Sequence, residues 1–174
     1  LRMRSERIWG VWVLTSKSIE FSKIQLIDGD RGKNYPKESD LEKEGYCLFL
    51  SAKNITSSGF DPNNASFITR EKDELLRAGK IQNGDIVITT RGTIGRCAFF
   101  DDKITFQNIR INSGMLIIRA DEKNWNRRFL YFFMSSQNFL QQIESFTSGS
   151  AVPQLPARDF VKLQVPDFSL SKQN

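Results

Sequence analysis

The segment Thr89-Thr-Arg-Gly-Thr-Ile-Gly-Arg96 joins two apolar runs and sets two glycines between two arginines. Glycines at such a turn let a backbone approach a ligand closely, and Arg91, Thr93 and Arg96 carry donors suited to phosphate oxygens or base edges. The same residues also suit a plain hairpin, in which Gly92 and Gly95 only supply unusual backbone angles. Further on, Phe106-Gln-Asn-Ile-Arg-Ile-Asn112 alternates polar and apolar side chains. Gln107, Asn108 and Arg110 are types that pair in bidentate fashion with adenine or guanine, and a half-exposed strand is the plainer reading. Lys53 and Asn54, behind a buried strand, and Arg31, Lys33 and Asn34, in a turn-rich loop, admit the same two readings.

Composition removes much other chemistry. The 174 residues contain no histidine, which excludes His-based acid/base catalysis, Ser/His/Asp and Cys/His triads, and zinc sites that need histidine. Two cysteines, Cys47 and Cys97, sit in apolar runs as small hydrophobes do, so neither a disulfide nor a Cys-rich metal framework is expected. A metal-dependent nuclease core wants an acid followed by Glu-x-Lys, and no Glu or Gln here has Lys two positions on. The acid pairs Glu42/Glu44 and Asp101/Asp102 read as solvated charge, and neither a metal nor a cofactor is expected. Gly29-Asp-Arg-Gly32 and Gly92-Thr-Ile-Gly95 lack the further glycines, lysine and following helix of nucleotide-binding loops. With 25 Lys+Arg against 20 Asp+Glu, the charge is +5, which favours polyanionic partners. Arg91, Arg96, Arg110 and Arg119 punctuate a sheet-like region and can form a rigid positive row. The apolar stretch near Trp9, Trp12 and Leu14 is too short to span a bilayer, which implies a cytoplasmic protein.

These side chains need a scaffold, and its elements are legible. Asp28 to Pro36 is a run of turn formers and hence a polar loop. Leu48 to Ala52 is a short buried strand. Thr69, followed by acids before Leu75-Leu76, starts a helix that Gly79 stops. Asp85–Thr90, Ile94–Phe100 and Gly114–Arg119 are the clearest strands, bounded by Gly, Asn or Asp and antiparallel in aspect. Helical spacing follows from Trp125 to Phe146, with Phe129, Phe132, Phe133, Leu140, Ile143 and Phe146 on the apolar face and a break near Ser135-Ser136. One helical turn opened by Pro156 and a strand ended by Pro166 complete the chain. The 14 phenylalanines should dominate the core. The expectation is a single α+β domain over residues 1–166, a twisted, mainly antiparallel β-sheet with short helices, and a polar tail over 167–174.

Taken in order, several segments resemble the target-recognition half of type I restriction–modification specificity subunits. They are Trp9 to Leu14, Asp30-Arg-Gly32 to Tyr35-Pro36, Leu48 to Ile55, Ile81 to Gly95, Gln107 to Asn112, Phe129 to Phe132, and Gly149-Ser-Ala-Val-Pro-Gln-Leu155 before a strand ending at Pro166. The Gly-Asp-Ile…Arg-Gly-Thr-Ile-Gly and Gly-Ser-Ala-Val-Pro-Gln-Leu blocks are the specific parts. The resemblance implies a non-catalytic reader of double-stranded DNA that takes one half of a split target. In that family two such domains are separated by long helices that hold methyltransferase (modification) subunits, and a restriction subunit joins the complex. Half-sized members dimerise through those helices, and this chain is expected to stop about where the first would begin.

The DNA contacts expected on this reading are Arg31, Lys33, Lys53, Asn54, Arg91, Thr93, Arg96, Gln107, Asn108 and Arg110. The segment Gly149 to Leu155 is expected to be largely architectural, connecting helix to strand, although Ser148 and Ser150 are of a type able to touch a phosphate. Two rivals stand beside it: a fragment of a fused restriction–methylation enzyme, with Asp101 or Asp102 in catalysis, and a methyltransferase-binding scaffold without DNA affinity of its own.

Overall fold

Strands that read as near-continuous apolar runs are those buried on both faces, and the runs at residues 86–88, 97–100 and 115–118 build the centre of this protein. The computed structural model describes residues 6–8, 11–13, 16–18, 23–147 and 154–173. Short strands β1 (Glu6–Ile8) and β2 (Val11–Val13) pair with each other, and β3 (Ser16–Ser18) pairs antiparallel with the strand that ends at Pro166. Trp9 and Leu14 lie outside the described residues. β4 (Ile24–Asp28) is the edge of a four-stranded antiparallel sheet whose other strands are β9 (Asp85–Thr89), β10 (Cys97–Phe100) and β12 (Met115–Ala120), in the order β10-β9-β12-β4. A second sheet sets β5 (Cys47–Leu50) between β8 (Phe67–Ile68) and β11 (Ile109–Ile111), with β5 and β11 parallel. β6 (Ile55–Thr56) and β7 (Gly59–Phe60) form a small hairpin.

Period-two alternation sorts the central residues into two cores. Ile86, Ile88, Leu116 and Ile118 face one way, toward α2 (Arg127–Met134) and α3 (Gln137–Thr147). Val87, Ala98, Met115 and Ile117 face the other, toward Leu48, Leu50, Ile109 and Ile111 of the second sheet. The helical pair breaks where the sequence suggests: Ser135 closes α2, and the Ser136 hydroxyl accepts the Phe139 amide to open α3. Phe132 departs from the expected apolar face and is 65% exposed, because Leu130, Phe133 and Met134 take the inward side of α2. Cys47 and Cys97 are buried free thiols, and burial pushes the Cys47 thiol up to about 12.

The outer face of the second sheet is covered by α1 (Arg70–Leu75), which is capped by the Thr69 hydroxyl and ends before Gly79. Here the structure corrects the expectation for Phe106 to Asn112, which is not a half-exposed strand. Ile109 and Ile111 face the core, so alternation turns Arg110 to the opposite face, straight at α1. Arg110 is only 4% exposed; its Nε donates to Asp73 Oδ1 at 2.8 Å and its other nitrogens donate to the carbonyls of Asp73 and Ala78. Lys80 adds a second bond to the Asp73 carboxylate at 2.8 Å. Burial pushes that carboxyl up, but the hydrogen bonds from Lys80 and Arg110 outweigh it and hold it below its ordinary value.

After the turn at Ala157–Lys162 and β13 (Gln164–Pro166), the segment expected to be a polar tail packs against the domain. Phe168 meets the Phe129 ring at 5.8 Å, and the Gln173 side chain, in the short α4 (Leu170–Gln173), accepts the Asn126 amide at 2.9 Å. No helix among the described residues is long and apolar enough to cross a membrane.

Removing Asp73 leaves a buried guanidinium without its partner. Asp73→Ala should lower the unfolding free energy by about 3–5 kcal/mol in urea titrations, whereas Asp73→Leu with Arg110→Met should cost far less. Because the carboxyl is held below its unfolded value, its contribution is complete above the ordinary carboxylate range and fades as the pH falls through the lowered folded value. Acid titration should therefore bring wild type toward Asp73→Ala, while the double variant, which carries neither charge, should lack this loss.

Candidate nucleic-acid interface

Strand direction brings the candidate loops to one end of the two sheets. β5 and β11 are parallel, so the segments that follow both leave at the same end, where the Asn112 amide donates to the Leu50 carbonyl at 3.0 Å. From there Asn112-Ser113-Gly114 turns directly into β12, and β9 and β4 run antiparallel to that strand. The turn therefore meets the end of β9, with Thr90 N donating to Gly114 O at 2.8 Å, and the loop after β4. At Gly29 the backbones come so close that a Cβ would lie 2.0 Å from the Asn112 carbonyl oxygen. No other residue type fits there.

The loop after Gly29 is held by Asp30, whose carboxylate accepts the backbone amides of Gly32 at 2.7 Å and Arg77 at 2.7 Å. Those bonds hold its carboxyl below the ordinary range. Tyr35 adds a contact, its hydroxyl accepting the Ser113 amide at 3.3 Å. This places Lys33 in an exposed turn and Arg31 beside the Asn112–Gly114 turn, where its Nη2 donates to Asp28 and to the Ser113 carbonyl.

The hairpin between β9 and β10 is braced from inside by Thr89. Its buried hydroxyl accepts the Arg96 amide at 3.1 Å and donates to the Thr93 carbonyl. Gly92 holds a φ of +72° at the tip with open space around it, and Arg91, Thr93 and Arg96 are exposed about it. Arg91 and Arg31 border one cleft of about 150 Å³, whose wall includes Asp28, Thr90 and the Gln154–Ala157 segment. Arg91 and Gln154 form an isolated bridge, which ties that segment to the hairpin. Ser148, Gly149 and Ser150 lie outside the described residues.

The sequence candidates thus separate into three groups. Arg31, Lys33, Lys53, Arg91, Thr93 and Arg96 are exposed in segments that leave the sheets at the common end. Gln107 and Asn108 are at the other: the Asn108 carbonyl accepts the Leu48 amide at the start of the strand pair, about 13 Å of strand from Asn112. Gln107 lines a cleft there with Asp101, Asp102 and Phe106. Asn54 and Arg110 belong to the interior. Asn54 is 1% exposed, and its amide accepts the Ser51 amide and donates to the carbonyls of Asp61 and Asn63, so its polar atoms are spent on closing a loop. Arg119, expected in a positive row, is likewise committed, its fork gripping Asp85 at 2.9 and 2.7 Å.

Arg77 joins the common end without a sequence signal. It reads as a helix-terminal residue, yet its backbone meets Asp30 across 47 positions and its exposed side chain lies beside Gly32. Asp101 pairs with Arg128 and Asp102 accepts from Asn83, and the described residues contain no cluster of three or more acids and cysteines able to hold a metal.

The sequence matches the family described as "Type I restriction modification DNA specificity domain" over residues 18–174. No curated protein matches it. Among solved structures, the HsdS subunit from Thermoanaerobacter tengcongensis superposes with a TM-score of 0.62 at 17% identity, over 91% of this chain and 34% of that one. The S subunit of the type I restriction–modification system from M. genitalium gives 0.58 at 16%, over 91% and 35%. A chain from a study of complex assembly and conformational transition in the type I R-M system gives 0.62 at 17%, over 88% and 34%. The chain spans about a third of the length of each. These likenesses bear out the α+β target-recognition fold, with the parallel β5–β11 pair as an addition to its mainly antiparallel pattern.

Gly29→Ala should force the loop after β4 away from the Asn112 turn and cost about 3 kcal/mol in urea unfolding, an overpacking penalty without a cavity to relax into.

Proposed function

As the chain belongs to the type I restriction–modification DNA specificity domain family, we propose that it reads one half of a split duplex target without catalysing any reaction on it. The observation that carries this reading is the gathering of Arg31, Lys33, Lys53, Arg91 and Arg96 at one end of the sheets, while Arg110 and Arg119 are neutralised within the domain by Asp73 and Asp85. Arginines free to reach outward supply phosphate neutralisation and, through their forks, guanine recognition in the major groove. The projecting hairpin tip carries Arg91, for which no carboxylate partner exists among the described residues. We assign Arg91 to base reading, and Lys33, Lys53 and Arg96 to backbone contacts that set register.

The proposed partners are double-stranded DNA, methyltransferase (modification) subunits, and the restriction subunit of the same complex. Gln107 and Asn108, at the opposite end, are left out of the DNA face. The domain proper is proposed to extend through the docked Gln173 rather than to close at Pro166.

Selection from randomised duplex DNA at near-physiological salt tests this reading, because phosphate binding is weakened there while base readout survives. A contiguous motif of about three to five base pairs is expected. Arg91→Ala should weaken that motif by about 1–3 kcal/mol and relax one position, whereas Lys33→Ala should weaken all sequences alike. A flat pool that stays flat with the modification subunit present overturns the reading. Tight binding to that subunit without DNA affinity would then establish the scaffold, and metal-dependent DNA cleavage lost in Asp101→Asn would establish the enzyme fragment.

A further inference from the structure

Asp28 is an acid on a face proposed to meet phosphates. It closes β4 and lines the cleft that Arg31 and Arg91 share, with a half-exposed side chain. Its Oδ1 accepts Arg31 Nη2 at 3.1 Å, and the same nitrogen donates to the Ser113 carbonyl at 3.3 Å. Nη2 belongs to both forks of a guanidinium, the end-on fork with Nη1 and the side-on fork with Nε. While Asp28 and Ser113 hold it, Arg31 cannot offer an unshared bidentate pair, and its remaining donors, Nε–H and the two on Nη1, point to opposite edges of the guanidinium plane and serve single acceptors only. A half-exposed ion pair of this kind is weak, so it is displaceable.

We propose that Asp28 is a specificity-determining residue, a built-in competitor that withholds Arg31 from DNA phosphates not placed in register by base contacts elsewhere. This rests on the DNA-reading function proposed above. A freed Arg31 follows any phosphate on a four-bond stem and so strengthens binding to every sequence. A held Arg31 rewards only a backbone already seated, because its order is established before binding. Asp28 also opposes phosphate directly, and that effect should act with or without Arg31. The two contributions are separable by a double-mutant cycle.

The test measures binding of the protein to a randomised duplex and to the duplex enriched by selection, across a salt series. Asp28→Ala should raise affinity for the random duplex by about three- to tenfold, as expected for removing one charge near a phosphate, and steepen its salt slope by about 0.9, one further phosphate neutralised. Affinity for the enriched duplex should change by less than about twofold, because the gain in charge is offset by lost order at Arg31. In an Arg31→Ala background most of the gain should vanish. Asp28→Asn, which keeps a hydrogen-bond acceptor, should fall between wild type and Asp28→Ala and serves if the alanine variant unfolds. The proposal is overturned if random-duplex affinity does not rise, if both duplexes gain equally, or if the gain survives intact without Arg31. Absence of an enriched motif for the wild-type protein with its modification subunit overturns the function itself, a distinct result.

Discussion

The buried pair between Asp73 and Arg110 fixes the relation of α1 to the second sheet, and the common end of the sheets depends on that relation. An unpaired charge at this depth would be strongly destabilising, so the helix and the strand are bound to one another in a single register. Lys80 and two backbone carbonyls complete the shell of donors and acceptors. With β11 so anchored, its next residues must turn at Asn112–Gly114, and there the ends of β4, β5 and β9 converge. Gly29 then allows two backbones to meet where no side chain fits.

Carboxylates sort the arginines of this protein by role. Asp73 and Asp85, both buried, take Arg110 and Arg119 out of reach of any external partner. Asp30 spends its oxygens on backbone amides and shapes the loop that carries Arg31 and Lys33. Asp28 holds Arg31 at half exposure, and Arg91 stands on a tip braced by the Thr89 hydroxyl. The net charge of +5 is thus a poor guide by itself. What matters is which cations are left over once the interior has been satisfied.

The hairpin around Gly92, the Thr69 cap, the break at Ser135-Ser136 and the central strands were legible because each has a local cause: a positive φ, a capping hydroxyl, a period of two or of 3.6. Arg110 and Asn54 were not. Their types are those of base readers, and the acceptors that claim them lie on α1 and in the Asp61–Asn63 turn. Arg77 was missed for the converse reason, since its neighbour Gly32 lies in a loop contributed by another part of the chain.

The sequence by itself determined the element types, the exclusion of histidine chemistry and the family, because these follow from local periodicity, composition and ordered short blocks. Tertiary structure alone decided which polar side chains face outward. That choice is made by strand register and direction: β11 running parallel to β5 puts Gln107 and Asn108 at one end and Asn112 at the other, while alternation turns Arg110 inward. Register is set by contacts between segments far apart in the chain, so no short window of sequence contains it.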